Sequence, residues 1–345
     1  MHLNRPFLKL PIKVDAGALA HEVAALPSSA WTAHPRGYRG NEAVRLITPH
    51  GRASDAILGP MAPTQYLLRC DSIRRIMAAI GAVWGRSRLM ALAPGREIPT
   101  HIDLNYYWRT HFRIHIPIVT NPAVHFTCGD ETVHMAAGEC WTFDSFRWHN
   151  VQNRGEERRV HLVLDTVGGG ILPDLMRGAV DGKREPILLP VREESGEELL
   201  LEKVNSPKVM SPWEMRCHLA FIRDVAHRDP PILDVLEGVE QFIDSWAAAW
   251  ARFGPDDEGL AAYRELLHEV RKCVFGLGVG SLRLKNGILL SRILEEQLFS
   301  RAVPIPDSLF GRAGEAAPVG QRAVRAFISV RTAPPQMPFG EVTGS

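Results

Sequence analysis

Cysteine is scarce in this chain, and where it occurs it forms no pattern. The five cysteines, Cys70, Cys128, Cys140, Cys217 and Cys273, are odd in number, scattered and without a Cys-x-x-Cys pair. That excludes a disulfide framework and a thiolate zinc site. Charge of one sign is lacking too: the formal net charge is +1, so composition gives no pull toward nucleic acid or an acidic membrane surface. No uncharged apolar run reaches the roughly 18 residues that a membrane-spanning helix requires. The first residues scatter Arg5, Lys9 and Lys13 among apolar ones and form no signal-peptide apolar stretch. The expectation is a cytoplasmic protein in a reducing compartment, with neither nucleic acid nor membrane as partner.

What is present is a globular composition. The 345 residues are 45% hydrophobic, enough for one large domain or two. The first half reads as strands: "RSRLMALAPG", "FRIHIPIVT", "AVHFTCGDETVHM", "GECWTFD" and "RRVHLVLDTVG" are short, rich in β-branched and aromatic residues, and punctuated by Gly, Pro and Asn. With no long helical pattern between them, they point to a sandwich or barrel. Turns are expected at Cys128-Gly129-Asp130-Glu131 and Ala137-Gly138-Glu139. "AGALAHEVAAL" and "CDSIRRIMAAIGAVW" read as flanking helices. After about Gly168 the character changes. The expected organisation is a β unit with N-terminal helices over 1–175, a linker over 176–209, a helical region over 210–303 and a loose proline-rich tail over 304–345. Ser211, Pro212 and Glu214 spell a capping box at the start of the helical region. "GLGVG" at 276–280 follows a helix instead of a strand and reads as a turn. Trp246 and Trp250, at helical spacing, read as core.

His101-Ile102-Asp103 is the pattern that carries chemistry. Residues two apart in a strand share a face, so an imidazole and a carboxylate would enter the same space. One more histidine would complete the two-His-one-carboxylate facial triad of non-haem iron, with three coordination positions left open. A His-x-Asp also recurs by chance in a chain with fourteen histidines, so the context decides. His111, His115, His125, His134, His149 and His161 all follow it. His149 stands after a strand, within "SFRWHNVQN", and ten residues later Arg159 opens the next strand. A 2-oxoglutarate chelated to iron leaves a free carboxylate about five carbons away, and a guanidinium clamps such a group with two parallel hydrogen bonds. Arg158 beside it faces the other way and reads as a surface residue. His161 shares the Arg159 face and is the rival ligand; His125 and His134 read as surface or packing residues.

From about Arg86 to Asp165 the chain resembles the aspartyl/asparaginyl β-hydroxylases and the related bacterial proline hydroxylases. Several motifs occur in order: "LAPG-x-x-x-P-x-H", "RIHIPI", "HMAAGECWTFD", the His149 loop and "RRVHLVLD". The resemblance implies an α+β protein built on a double-stranded β-helix (a cupin-like jelly roll), and a dioxygenase using Fe(II), 2-oxoglutarate and O2. It implies His101 and His149 as iron ligands and Arg159 on the distal carboxylate of 2-oxoglutarate. Arg113 and His115 would line the site, Arg113 binding a carboxylate and His115 hydrogen-bonding 2-oxoglutarate. Animal aspartyl β-hydroxylases carry glycine at the carboxylate position; Asp103 restores the full triad here, as in the proline hydroxylases. A serine that helps hold 2-oxoglutarate in the animal enzyme aligns with Met90, and Arg88, on the same face, is the candidate replacement. Arg45 is the candidate for an anionic substrate, in keeping with an arginine that proline hydroxylases place similarly. The expected substrate is an amino acid, free or within a peptide, and the helical region either covers the barrel mouth or forms a homodimer. Two rival readings are a cupin-type metalloenzyme without 2-oxoglutarate and a non-catalytic metal-binding or sensor module.

Overall fold

Eight antiparallel strands between Val83 and Gly168 are divided between two facing sheets in the computed structural model, which describes residues 3–35, 37–182, 185–189 and 198–303. Ahead of them come β1 (Phe7–Lys13), α1 (Ala16–Ala24), β2 (Thr32–Ala33), β3 (Asn41–Pro49), β4 (Met61–Pro63) and α2 (Asp71–Ile80). The eight are β5 (Val83–Leu92), β6 (Arg96–His101), β7 (Phe112–Val119), β8 (Val124–Cys128), β9 (Glu131–Val133), β10 (Glu139–Phe143), β11 (His149–Asn153) and β12 (Arg159–Gly168), with a single helical turn, α3 (Tyr107–Thr110), after β6. One sheet contains the order β10-β7-β12-β5, the other β6-β11-β8-β9. This interleaving is the double-stranded β-helix, and the fold is α+β as expected. The larger sheet is extended by β1 beyond β10 and by β3, with β2 and β4, beyond β5.

Strand alternation sorts the side chains of the larger sheet. Ile114 and Ile116 are fully buried on its outer face, in one core with Leu19 and Val23 of α1 and Ile73, Ile76 and Met77 of α2. Arg113 and His115, which alternate with them along the strand, face the barrel cavity. Gly81, at φ +67°, ends α2 and releases the chain into β5. At Gly138 (φ +77°) an added Cβ would lie 2.5 Å from the Val14 carbonyl, so the turn into β10 admits only glycine.

The segment expected as linker carries structure. α4 (Leu172–Asp181) runs across the expected boundary at 175, and β13 (Ile187–Leu188) pairs in parallel with β1. Backbone bonds join Trp84 to Leu200 and Glu202, and Met61 to Glu202. The tail expected over 304–345 lies outside the described residues, as do residues 190–197 of the expected linker.

The helical region comprises α5 (Pro212–Val225), α6 (Pro230–Phe253), α7 (Leu260–Gly276) and α8 (Leu290–Gln297), closed around a fully buried Trp246 whose indole donates to the Met210 carbonyl. Ser211 caps α5 by accepting from the Glu214 backbone N–H at 3.2 Å. The second half of the expected capping box is missing, because the Glu214 carboxylate accepts from the Tyr106 hydroxyl instead. That bond belongs to a larger docking. Ile102, Leu104, Tyr106 and Phe146, all from barrel loops, belong to the hydrophobic core of the helices.

Candidate active site and metal centre

The pairing of β6 with β11 sets His101 opposite His149 in register, with ring centroids 4.2 Å apart. Asp103 arrives differently from expectation. β6 ends at His101, so no strand pleat aligns the two side chains. Instead the Asp103 backbone N–H bonds the Ser145 carbonyl at 3.0 Å, while Ile102 is buried in the helical core. The three donor groups nevertheless lie within 4.8 Å of one another.

The electronic state of each group suits a metal ion. His101 Nδ1 lies 2.8 Å from the Pro99 carbonyl and His149 Nδ1 2.8 Å from the Arg147 carbonyl. A proton placed there leaves each Nε2 as a free lone pair, the second-sphere arrangement typical of metal-binding imidazoles. Burial pushes the His149 imidazole down to about 4, keeping it neutral. Burial alone would raise the Asp103 carboxyl, but Arg113 and the two imidazoles outweigh it and hold it below the usual range. Asp103 Oδ2 is buried with no hydrogen-bond partner, its nearest cation being the Arg113 guanidinium 3.5 Å away, and a carboxylate oxygen so placed keeps lone pairs for a metal ion. Two imidazoles and one carboxylate match the donor set of a non-haem ferrous centre.

The triad opens into a cavity of about 840 Å³ whose lining includes Met90, Ile98, Phe126, Phe143 and Val151 among its apolar members. Arg159 projects into it, 2% exposed, with no hydrogen bond or ion pair to any described protein group, and burial lowers its guanidinium to about 9. His115 lines the same wall with both ring nitrogens unpartnered, and burial followed by Arg159 and Arg113 drives it well below its ordinary value. Arg88 also lines the cavity, buried and unpaired.

Two expected binding residues are otherwise engaged. Arg113 faces inward, but its Nε bonds Asp165 Oδ1 at 3.0 Å, its Nη1 lies 3.5 Å from Asp103 Oδ2, and it stacks on Trp108 at 4.1 Å. These contacts hold it against two carboxylates of its own chain, so it is not a free clamp for substrate. Arg45 borders the cavity, yet it forms a two-pronged pair with Asp55 and donates to Thr32. The reason is the same in both cases: a buried guanidinium near a carboxylate of its own chain pairs with it. His161, the rival ligand, is buried beside His115 at 5.8 Å and outside the three-donor group. Arg158 sits on the surface over Trp31, paired with Glu42, as its alternation predicts.

Asp165, Asp55, Arg86, Trp108 and Arg301 were not singled out in the sequence. Asp165 was within reach, since the alternation that turns Arg159 and His161 inward along β12 also turns in Asp165, opposite Arg113. Arg301, which enters the cavity wall from beyond α8, leaves no local signal.

A double-stranded β-helix with two imidazoles and a carboxylate beside a deep cavity is the arrangement of a cupin-like metal site, and it is shared by the 2-oxoglutarate-dependent oxygenases. Within it, residues 64–168 match the aspartyl/asparaginyl β-hydroxylase family, a span of less than half the chain that contains all three donor residues. No curated protein sequence matches the chain. Among solved structures it is similar to an oxidoreductase of the 2OG-Fe(II) oxygenase family from Burkholderia pseudomallei, at 14% identity and TM-score 0.34, covering 45% of this chain and 79% of that one. It is also similar to the non-haem α-ketoglutarate-dependent epimerase SnoN of nogalamycin biosynthesis, at 14% identity and TM-score 0.33, covering 46% and 77%. A cupin domain from Bordetella pertussis gives 18% identity and TM-score 0.20, covering 24% and 79%. Among the described residues no helix is long and apolar enough to cross a membrane.

Proposed function

We propose that this oxygenase hydroxylates an amino acid, free or within a peptide, with Fe(II) held by His101, Asp103 and His149. The observation that carries the 2-oxoglutarate part is Arg159, a fully buried guanidinium without a protein anion in the cavity of the triad. Such a cation is stabilised by an anionic ligand. Bound iron and 2-oxoglutarate supply the oxidising power, converting dioxygen and the oxo acid to succinate and CO2 as a C–H bond becomes C–OH.

The chain's own residues bind, aim and shield. Arg159 takes the distal carboxylate of 2-oxoglutarate, and neutral His115 lies on the path toward the metal as a hydrogen-bonding group. Arg113 holds Asp103 ionised and oriented, itself anchored by Asp165. Phe126, Phe143, Ile98 and Val151 keep water from the reacting carbon. A cytoplasmic location belongs to the same reading, with the thiols of Cys70, Cys128 and Cys140 buried and free.

The test is succinate formation. Protein loaded anaerobically with Fe(II) and 2-oxoglutarate is exposed to oxygen with pools of amino acids and short peptides. His101→Ala and His149→Ala abolish succinate production, and full activity in either variant overturns the ligand assignment. An Arg159→Ala variant that keeps its activity favours instead a cupin-type enzyme that uses the metal without 2-oxoglutarate.

A further inference from the structure

We propose that Gln297, at the end of α8 in the helical region, is the positioning residue that fixes the Asp103 carboxylate at the metal centre. The inference rests on the reading above, in which His101, Asp103 and His149 hold the metal.

The three donor residues are not held alike. His101 and His149 face each other in the β6–β11 ladder, and β8 pairs with the other edge of β11 at His149. Ladder bonds place both imidazoles without help from outside the barrel. Asp103 has left the strand. Its backbone N–H bonds the Ser145 carbonyl, and Arg113 approaches its carboxylate at 3.5 Å. A guanidinium at that distance attracts the carboxylate but does not decide where the loop backbone carries it. The residues around Asp103 are gripped by the helices instead. Ile102 and Leu104, one on each side of it, are both buried in the helical core.

Two hydrogen bonds clasp the loop against the end of α8. The Tyr106 N–H donates to the Glu296 carbonyl at 3.0 Å, one of the carbonyls that a helix end leaves without a partner in the helix. In the opposite direction, Gln297 Nε2 donates to the Leu104 carbonyl at 3.0 Å, across 193 residues of chain. Gln297 is 1% exposed and shares the buried side of α8 with Leu290, Ile293 and Leu294. A buried amide is costly unless it is hydrogen-bonded, and its Oε1 has no partner among the described residues. The helical core by itself would be better served by an apolar side chain of the same size. The one bond the amide makes falls on the residue next to Asp103, and holding that loop accounts for its presence. Gln297 lies outside residues 64–168, the span of the family match.

Titration of metal-free, full-length protein with Co(II), followed by visible absorption, reports affinity and ligand set together. Gln297→Met keeps the bulk and removes the donor. It weakens Co(II) binding about 10- to 100-fold and shifts the spectrum toward that of Asp103→Ala. In an Asp103→Ala background the same substitution has no further effect, because its influence passes through the carboxylate. Val239→Ala, a core truncation on α6, controls for general loosening and leaves affinity and spectrum unchanged. Gln297→Glu adds a pH profile: its affinity falls further below wild type as the pH rises and the new carboxyl loses the proton it donates to Leu104. Wild-type affinity in Gln297→Met overturns the proposal, and so does an equal loss in the Asp103→Ala background or in Val239→Ala. Should Gln297→Met not fold, Gln297→Glu decides alone, and an affinity that tracks wild type at every pH overturns the proposal. His101→Ala binding Co(II) as tightly as wild type overturns the ligand assignment itself, a separate outcome of the same titration.

Discussion

The barrel interior and the helical region bury their side chains to opposite ends. Inside the barrel, Arg88, Arg159, His115, His161 and Asp165 are all removed from water and Arg113 nearly so. The helical core is built from residues such as Val235, Val239, Ile243, Trp246, Leu267 and Ile293. Burying charge costs free energy and burying apolar surface returns it. The barrel is therefore held by its outer face against α1 and α2, which frees its inner face for chemistry. The helices are also part of the site, because they grip Ile102 and Phe146, the neighbours through which the loops carrying Asp103 and leading to His149 are seated.

Breaking an inner-face pair gives the largest expected effect. Arg113→Met leaves Asp165 with Arg86 alone, at 3.6 Å, and removes the cation beside Asp103, at a cost of up to about 3–5 kcal/mol, the usual ceiling for unpairing a buried charge. Chemical denaturation measures it, and a change below about 1 kcal/mol would mean that water reaches this pair. Ile102→Ala sharpens the comparison from the other side. It costs about 2–5 kcal/mol as a core truncation and also lowers metal affinity, although its side chain points into the helices; metal binding unchanged at equal destabilisation would separate the two regions. The smallest effect is acidification of the metal-free protein. Burial holds His115 and His161 well below their ordinary value, so both stay neutral when folded and take up protons when unfolded. Their contribution is complete above about pH 6.5 and is lost as pH falls toward their folded values. The melting temperature therefore drops by several degrees from pH 7 to pH 5, and His161→Phe removes part of that drop.

Strand alternation made much of the barrel legible. It put Arg159 with His161, and Arg113 with His115, on one side of their strands and the isoleucines on the other; Arg113, His115 and Arg159 line the cavity and the isoleucines the outer core. It failed at Asp103, because β6 stops at His101 and a loop contact to Ser145 replaces the pleat. It was also silent about partners. Nothing in the local sequence says that Arg45 meets Asp55 or that Arg113 meets Asp165, since pairing depends on which strands lie side by side. The capping box was half right for the same reason: the Ser211 bond is local, whereas Glu214 was claimed by Tyr106 from 108 residues away.

By itself the sequence determined the strand periodicity, the glycine turns and the motifs that carry the resemblance, His101, Asp103 and His149 among them, because these are local properties written in spacings of a few residues. Only the tertiary structure decided which guanidiniums are spent on the chain's own carboxylates and which remain for ligands. Coulomb pairing acts through space across neighbouring strands and docked helices, and spacing along the chain does not encode it.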